Sequence, residues 1–196
     1  MLSIEPMVVS EMPIEVLTTS FRDFYERDPW NEYLRCPVCN PFDDFGSPGR
    51  YEDKTLQRCL VCGSQLETYW SEDRVRHYFV DATERPGFVG VVGKNVSGEI
   101  VAWAWGYHIS EISELSDLTQ DGLYVDIIGV LPEYRDDSLS VFIEGHIIGI
   151  ERGYRYFVTR THVKAEYVHR AMTAAGYSYL RGSVAEQDRE YWRLIP

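Results

Sequence analysis

Four cysteines stand in two tight pairs, Cys36-Pro37-Val38-Cys39 and Cys59-Leu60-Val61-Cys62, with 19 residues between the pairs. This constrains the chain more than any other feature, because the spacing is that of a four-thiolate zinc site. A Cys-x-x-Cys turn presents two sulfurs to one ion, and Zn²⁺ takes four such ligands tetrahedrally. Asn40 follows the first pair and Gly63 the second, the residue types that best tolerate a left-handed backbone. That backbone aims N–H groups at the sulfurs. The chain has 4 cysteines in all, so none is left over. A closed set of four ligands leaves no open position for substrate, which makes the predicted metal structural. Iron in the same ligand set is the competing metal.

Two reactive dithiols or two disulfides are the other ways to use these residues. The start, Met1-Leu2-Ser3-Ile4-Glu5-Pro6, has neither a basic cluster nor an apolar run, so no secretion leader is expected. A cytoplasmic chain is the expectation, and in a reducing compartment this pattern favours metal over disulfides.

At 196 residues the chain fits one domain spanning 1–196, with a small insert at 33–66 around the cysteines. No apolar stretch is long enough to span a membrane, so no membrane partner is expected. The net charge of −12 argues against nucleic acid, whose binders neutralise phosphates. The cysteine segment is no exception: Asp43, Asp44, Glu52 and Asp53 offset Arg50, Lys54 and Arg58. An acidic surface suits a cationic partner such as an amine.

Periodicity orders the rest. Met7 to Ser10 reads as a short strand, and Ile14, Leu17, Phe21, Phe24 and Tyr25 fall at helical spacing after Pro13. A second helix is predicted from Glu72 to Phe79. Phe88–Lys94 and Glu99–Tyr107 are β-rich runs joined by the turn Asn95-Val96-Ser97-Gly98, a hairpin. The strand Leu123–Val130 leads to a helix with Leu139, Phe142, Ile143, Ile147 and Ile150 on one side, closed by Gly153. A strand at Tyr156–Thr161, a helix at Ala165–Ala175 and a hairpin of Tyr177–Val184 with Arg189–Ile195 complete the chain. The class is α/β (α+β), a mixed central sheet flanked by helices.

The stretch Asp126-Ile127-Ile128-Gly129-Val130-Leu131-Pro132-Glu133-Tyr134-Arg135, continuing through Asp136, Asp137, Ser138, Leu139 and Ser140, resembles the GNAT superfamily of acyl-CoA-dependent N-acyltransferases. The resemblance lies in a strand, then Val-x-Pro-x-Tyr-Arg, then a pyrophosphate loop. A loop opening a helix gathers unpaired N–H groups and the positive dipole end, which suit an anionic pyrophosphate. Acetyl-CoA is the co-substrate the resemblance implies, bound by Ile128, Val130, Arg135, Asp136, Asp137, Ser138, Leu139 and Ser140. Serines 138 and 140 replace the family's loop glycines, and two aspartates stand where neutral or basic residues are usual. Gly129 inside the strand suggests a bulge or a close backbone approach. The family has a bulge there, splaying two parallel strands around the pantetheine arm. Counting back from Gly176, the family's tyrosine acid falls on Met172 and its asparagine on Ala165, neither of which can serve.

The groups that could carry the chemistry are therefore others. Asp126, read on the same strand face as Ile128 and Val130, is the candidate base, and a salt-bridged aspartate is the alternative. His169 shares a helix side with Met172 and is the candidate acid, with a half-exposed surface histidine as the alternative. Tyr124, Tyr167 and Tyr177 are further donors that the sequence does not rank. Trp103, Trp105 and Tyr107 alternate on one strand, first as core and second as a pocket wall. The expected function is acetyl transfer to a primary amine, on a small molecule or a peptide, by direct attack in a ternary complex. The rival is a degenerate module of the same fold that binds a partner protein through its zinc ribbon. A homodimer is left open.

Overall fold

The computed structural model describes residues 2–40, 49–137, 145–146 and 148–196, the side chains of 135–137 excepted. The chain divides into two compact units, one made of Met1–Pro13 with Phe79–Pro196 and the other of Ile14–Tyr78.

The first unit is built on a seven-stranded sheet. Its strands are β1 (Ser3–Pro6), β5 (Val89–Lys94), β6 (Ile100–His108), β7 (Gly122–Val130), β8 (Tyr156–His162), β9 (Ser178–Gly182) and β10 (Arg189–Leu194). They lie in the order β1-β5-β6-β7-β8-β10-β9. Every pairing is antiparallel except β7 with β8, the one pair that needs a crossover connection. The first strand lies earlier than Met7–Ser10: Val9–Glu11 forms a 3-10 turn instead. Alternation alone does not distinguish an edge strand from a tight turn over four residues.

Alternation does sort the sheet's two faces. Leu123, Val125 and Phe157 pack with Met172 from helix α3 (Glu166–Ala174) and with Tyr177, while Val91, Ala102 and Ala104 continue that layer. Helical residues 145, 146 and 148–151 precede Gly153, whose φ of +93° ends the turn as glycine allows. The opposite face carries Trp103, Trp105 and Tyr107, which are 1%, 2% and 4% exposed. Phe79 stacks edge-on against Trp105 there, with centroids 5.3 Å apart. The three aromatics are core, as the first of their two readings held.

In the second unit, helix α1 (Ile14–Tyr25) buries Leu17, Thr18 and Phe21. A small sheet of β2 (Leu34–Arg35), β3 (Arg50–Tyr51) and β4 (Glu67–Thr68), in the order β3-β2-β4, carries the cysteines. Glu32, only 4% exposed, accepts from Arg50 Nη2 at 2.7 Å and from Trp70 Nε1 at 2.8 Å, so its buried charge is paired. Helix α2 (Glu72–Glu84) runs a turn and more beyond its predicted end at Phe79. Nothing before Pro86 forces it to stop.

Candidate functional site

The parallel pair β7–β8 opens partway along. Its register runs from Gly122 opposite Tyr156 to Val125 opposite Thr159 and stops, although β7 continues to Val130 and β8 to His162. At the same level β7 bulges against β6. Trp105 faces Ile127 and Gly106 faces Val125, so Asp126 is the extra residue. A bulge bends its strand and re-aims side chains. Here it puts Asp126 and Ile127 on one face in succession. Ile128 and Val130 return to the Ala102–Ala104 layer, while the Asp126 carboxylate accepts from Trp105 Nε1 at 3.3 Å. Asp126 therefore does not share a face with Ile128 and Val130, because the inserted residue reverses the alternation between them. Gly129 is not the bulge. It lies directly opposite Trp103, and a Cβ there would come within 2.4 Å of the indole. The close approach, the second reading of that glycine, is what the strand needs.

Around Asp126 the tryptophan face turns polar. Tyr107 and Tyr124 are opposite one another in register, their rings 5.6 Å apart. Burial pushes the Tyr124 phenol up to about 12. Burial and then the Asp126 charge push Tyr107 higher still, so both phenols stay protonated donors. Arg160 of β8 pairs with Glu186 at 2.7 Å, both mostly buried. The Arg85 guanidinium lies over the Tyr107 ring, 4.4 Å from its centroid. Asp126 thus stands among buried aromatic rings, with the Arg160 and Arg85 charges near enough to act on Tyr124 as well.

The other face holds the second candidate. His169 stacks on Trp192, with centroids 5.2 Å apart and planes 24° from parallel, and its Nε2 lies 3.0 Å from Glu190 Oε1. Asp126 and His169 are thus on opposite faces of the sheet, and the structure does not bring them together. Tyr167 is 48% exposed on α3. Tyr177 is buried against His146, oxygen to Nε2 2.7 Å. Burial drives that histidine's pKa down to about 4, so it is neutral. Thr161, on β8 beyond the last pairing with β7, is 5% exposed, and its Oγ1 has no hydrogen-bond partner.

The four cysteines converge in the second unit. Their sulfurs lie within 4.8 Å of one another, with Cys36–Cys62 at 3.5 Å and Cys39–Cys59 at 3.7 Å. A tetrahedral ion with metal–sulfur bonds of about 2.3 Å sets its ligands about 3.8 Å apart, which these positions fit. The distances are also well beyond a disulfide bond. Cys39 N–H donates to Cys36 Sγ and Val61 N–H to Cys59 Sγ, as knuckles require. The Tyr51 hydroxyl, 3.1 Å from Cys59 Sγ, is the main reason that thiol is lowered to about 6. Hydrogen bonding to Cys62 leads the causes that push Cys39 up to about 12. Gly63 takes φ +74°, whereas Asn40 does not: among the described residues the non-glycine with positive φ is Asn31. Asn40 N–H instead closes a turn onto the Cys36 carbonyl at 3.0 Å.

No protein-family profile matches the chain, and no curated protein matches its sequence. Solved structures do. A ribosomal-protein-alanine N-acetyltransferase from Brucella melitensis superposes with a TM-score of 0.62 at 12% identity, covering 100% of both chains. A putative acetyltransferase from Acinetobacter baylyi gives 0.62 at 10% identity, covering 100% of this chain and 93% of the other. A GNAT superfamily phosphinothricin acetyltransferase from Sinorhizobium meliloti gives 0.60 at 12% identity, covering 99% and 88%. The fold is that of the GNAT acetyltransferases.

Within that GNAT fold, Met172 is 1% exposed in the core, and Ala165 flanks α3 without capping it by a side chain. Arg135, Asp136 and Asp137 belong to a 3-10 stretch, Pro132–Asp137, but their side chains, and all of Ser138, Leu139 and Ser140, lie outside the described residues. Sequence reasoning passed over Arg85 and Thr161. A lone arginine before Pro86 and a threonine in a strand carry no pattern: the cation–π contact with Tyr107 locates the first, and the β7–β8 register the second.

Proposed function

We propose that the chain transfers an acetyl group from acetyl-CoA to a primary amine by direct attack. The observation that carries this reading is the coincidence of two breaks at one level. The β7–β8 pairing ends at Val125–Thr159, and the β6–β7 bulge puts Asp126 there. Opened strands leave backbone N–H and C=O groups without a strand partner, which suits the amide-rich pantetheine arm. Two proteins of this fold support the cofactor: an N-acetyltransferase from Thermoplasma acidophilum solved with coenzyme A, and the Sinorhizobium enzyme solved with AcCoA.

Asp126 takes the proton of the acceptor ammonium, directly or through one water. The freed amine then attacks the thioester carbonyl, the C–S bond breaks, and the attacking nitrogen gives up its surplus proton, which returns to the departing thiolate to leave amide and thiol. Trp105 Nε1 fixes the carboxylate. The cysteine centre would hold one Zn²⁺ in a structural role, since its four ligands leave no open position.

Asp126→Asn keeps the shape and removes the proton acceptor. Turnover should fall by roughly 10²-fold or more with acetyl-CoA affinity nearly unchanged. Calorimetric titration and initial rates on the same preparation check both halves. An unchanged rate with a lower melting temperature would make Asp126 structural.

A second reading is a non-catalytic GNAT-fold module that docks a protein through the ribbon. One observation favours it: the knuckle tips Val38, Leu60 and Val61 are 63%, 75% and 66% exposed. Absence of any acetyl-CoA binding would favour this reading.

A further inference from the structure

Arg85 is a cation without a counter-charge in an acidic protein. It follows α2 directly, and its guanidinium lies over the Tyr107 ring, 4.4 Å from the centroid. Among the described residues no carboxylate lies within ion-pair distance of it and no hydrogen bond ties it down. The contrast with Arg160, on the same face, is direct: that side chain is satisfied by Glu186 at 2.7 Å. The chain has 31 acidic residues against 19 lysines and arginines, so a partner for Arg85 was not wanting. Its stacking partner Tyr107 faces Tyr124, and Tyr124 stands two residues from Asp126 on β7. Around these two phenol rings stand a carboxylate, Asp126, and a guanidinium that has no carboxylate partner among the described residues, Arg85.

We propose that the acceptor is an amine bearing a carboxylate on the same molecule. Its ammonium sits at Asp126 and its carboxylate on the Arg85 guanidinium. This deepens the acetyl-transfer reading and rests on it for the fate of the amine. A guanidinium recognises a carboxylate by two parallel N–H donors.

The test uses matched pairs that differ only at the anionic end: alanylglycine against alanylglycinamide, and 5-aminopentanoate against pentylamine. Each is titrated calorimetrically into the whole protein, alone and with acetyl-CoA, and acetylation is followed separately. The acid members should bind about tenfold tighter or better. Arg85→Gln should collapse that difference to about twofold or less, and Arg85→Lys, which keeps the charge, should retain part of it. Equal affinity within the pairs, a preference that survives Arg85→Gln, or no binding of any probe would overturn the proposal. The two readings fail differently. Acetylation without a preference for the acid removes the acceptor assignment alone. Arg85-dependent binding without acetylation removes the transfer reading and leaves the acceptor site.

Discussion

Thr161 carries a buried hydroxyl with no partner among the described residues, at the level where β7 has left β8. Leaving such a group unpaired costs about 1–3 kcal/mol. Valine has the same shape without the hydroxyl. Thr161→Val should therefore raise the melting temperature, by roughly 2–4 °C for each kcal/mol relieved in a chain of this size. If the hydroxyl meets bound acetyl-CoA between the strands, the same variant should bind the cofactor more weakly. Scanning calorimetry and cofactor titration of one preparation check the pair, and a lower melting temperature would mean the hydroxyl is satisfied. Asp126 shows what could be read at this scale. Its residue type and its place on the strand were legible from the sequence. Its face was not, because the bulge that reverses the alternation has no residue signature: it lies at Trp105–Gly106 and Asp126, not at Gly129. Gly129 is there for the Trp103 indole, a contact between strands that composition does not encode.

Elements were legible where their ends carry glycine, proline or turn residues. The hairpin at Asn95–Gly98 and the stop at Gly176, φ +89°, were read closely, and α2 stops just ahead of Pro86-Gly87, whereas β1 lacks such marks. Two ties that hold elements together predict how the first unit responds to acid. His146, buried beside Tyr177, has its pKa lowered to about 4 by desolvation. A group depressed on folding contributes stability above its unfolded pKa of about 6.5, and that stability is lost as pH falls toward the folded value. Glu114 behaves in the same sense one window lower. Burial opposes its ionisation, but donors from Tyr191, Ala185, Ser183 and Val184 bring it down to about 2. It fastens the segment before β10 to the 3-10 turn Ser113–Leu115. Stability should thus fall from about pH 6.5 to 4 through His146, and further below about pH 4.5 through Glu114. His146→Leu should flatten the upper part of a melting-temperature profile and leave the lower part. Glu114→Gln, which can accept only through its amide oxygen, should do the opposite. A profile whose upper slope survives His146→Leu would assign it elsewhere.

At the scale of the whole molecule the order of strands and helices was readable, because each apolar run has the period of its element. The cysteine unit was readable for a different reason: a metal's valence fixes ligand number and spacing in the sequence itself. Its three strands have two residues each, too few to bury a core. Cys36, Cys59 and Leu66 form the small apolar cluster there, so two of its three buried members belong to the four-cysteine group proposed to hold the ion. Residues of this kind hold their fold through the ion, and binding free energy becomes folding free energy. Elemental analysis should find close to one zinc per chain. A strong chelator should abolish amide-exchange protection across residues 34–68, and Cys39→Ser should do the same without chelator. Ligands must be deprotonated to bind, so acid should release the metal as well. The location of the loss is the informative readout. Protection that persists over 34–68 in protein stripped of metal, with four free thiols by titration, would show that the sulfurs are packed together without an ion, and the structural-metal assignment would fall.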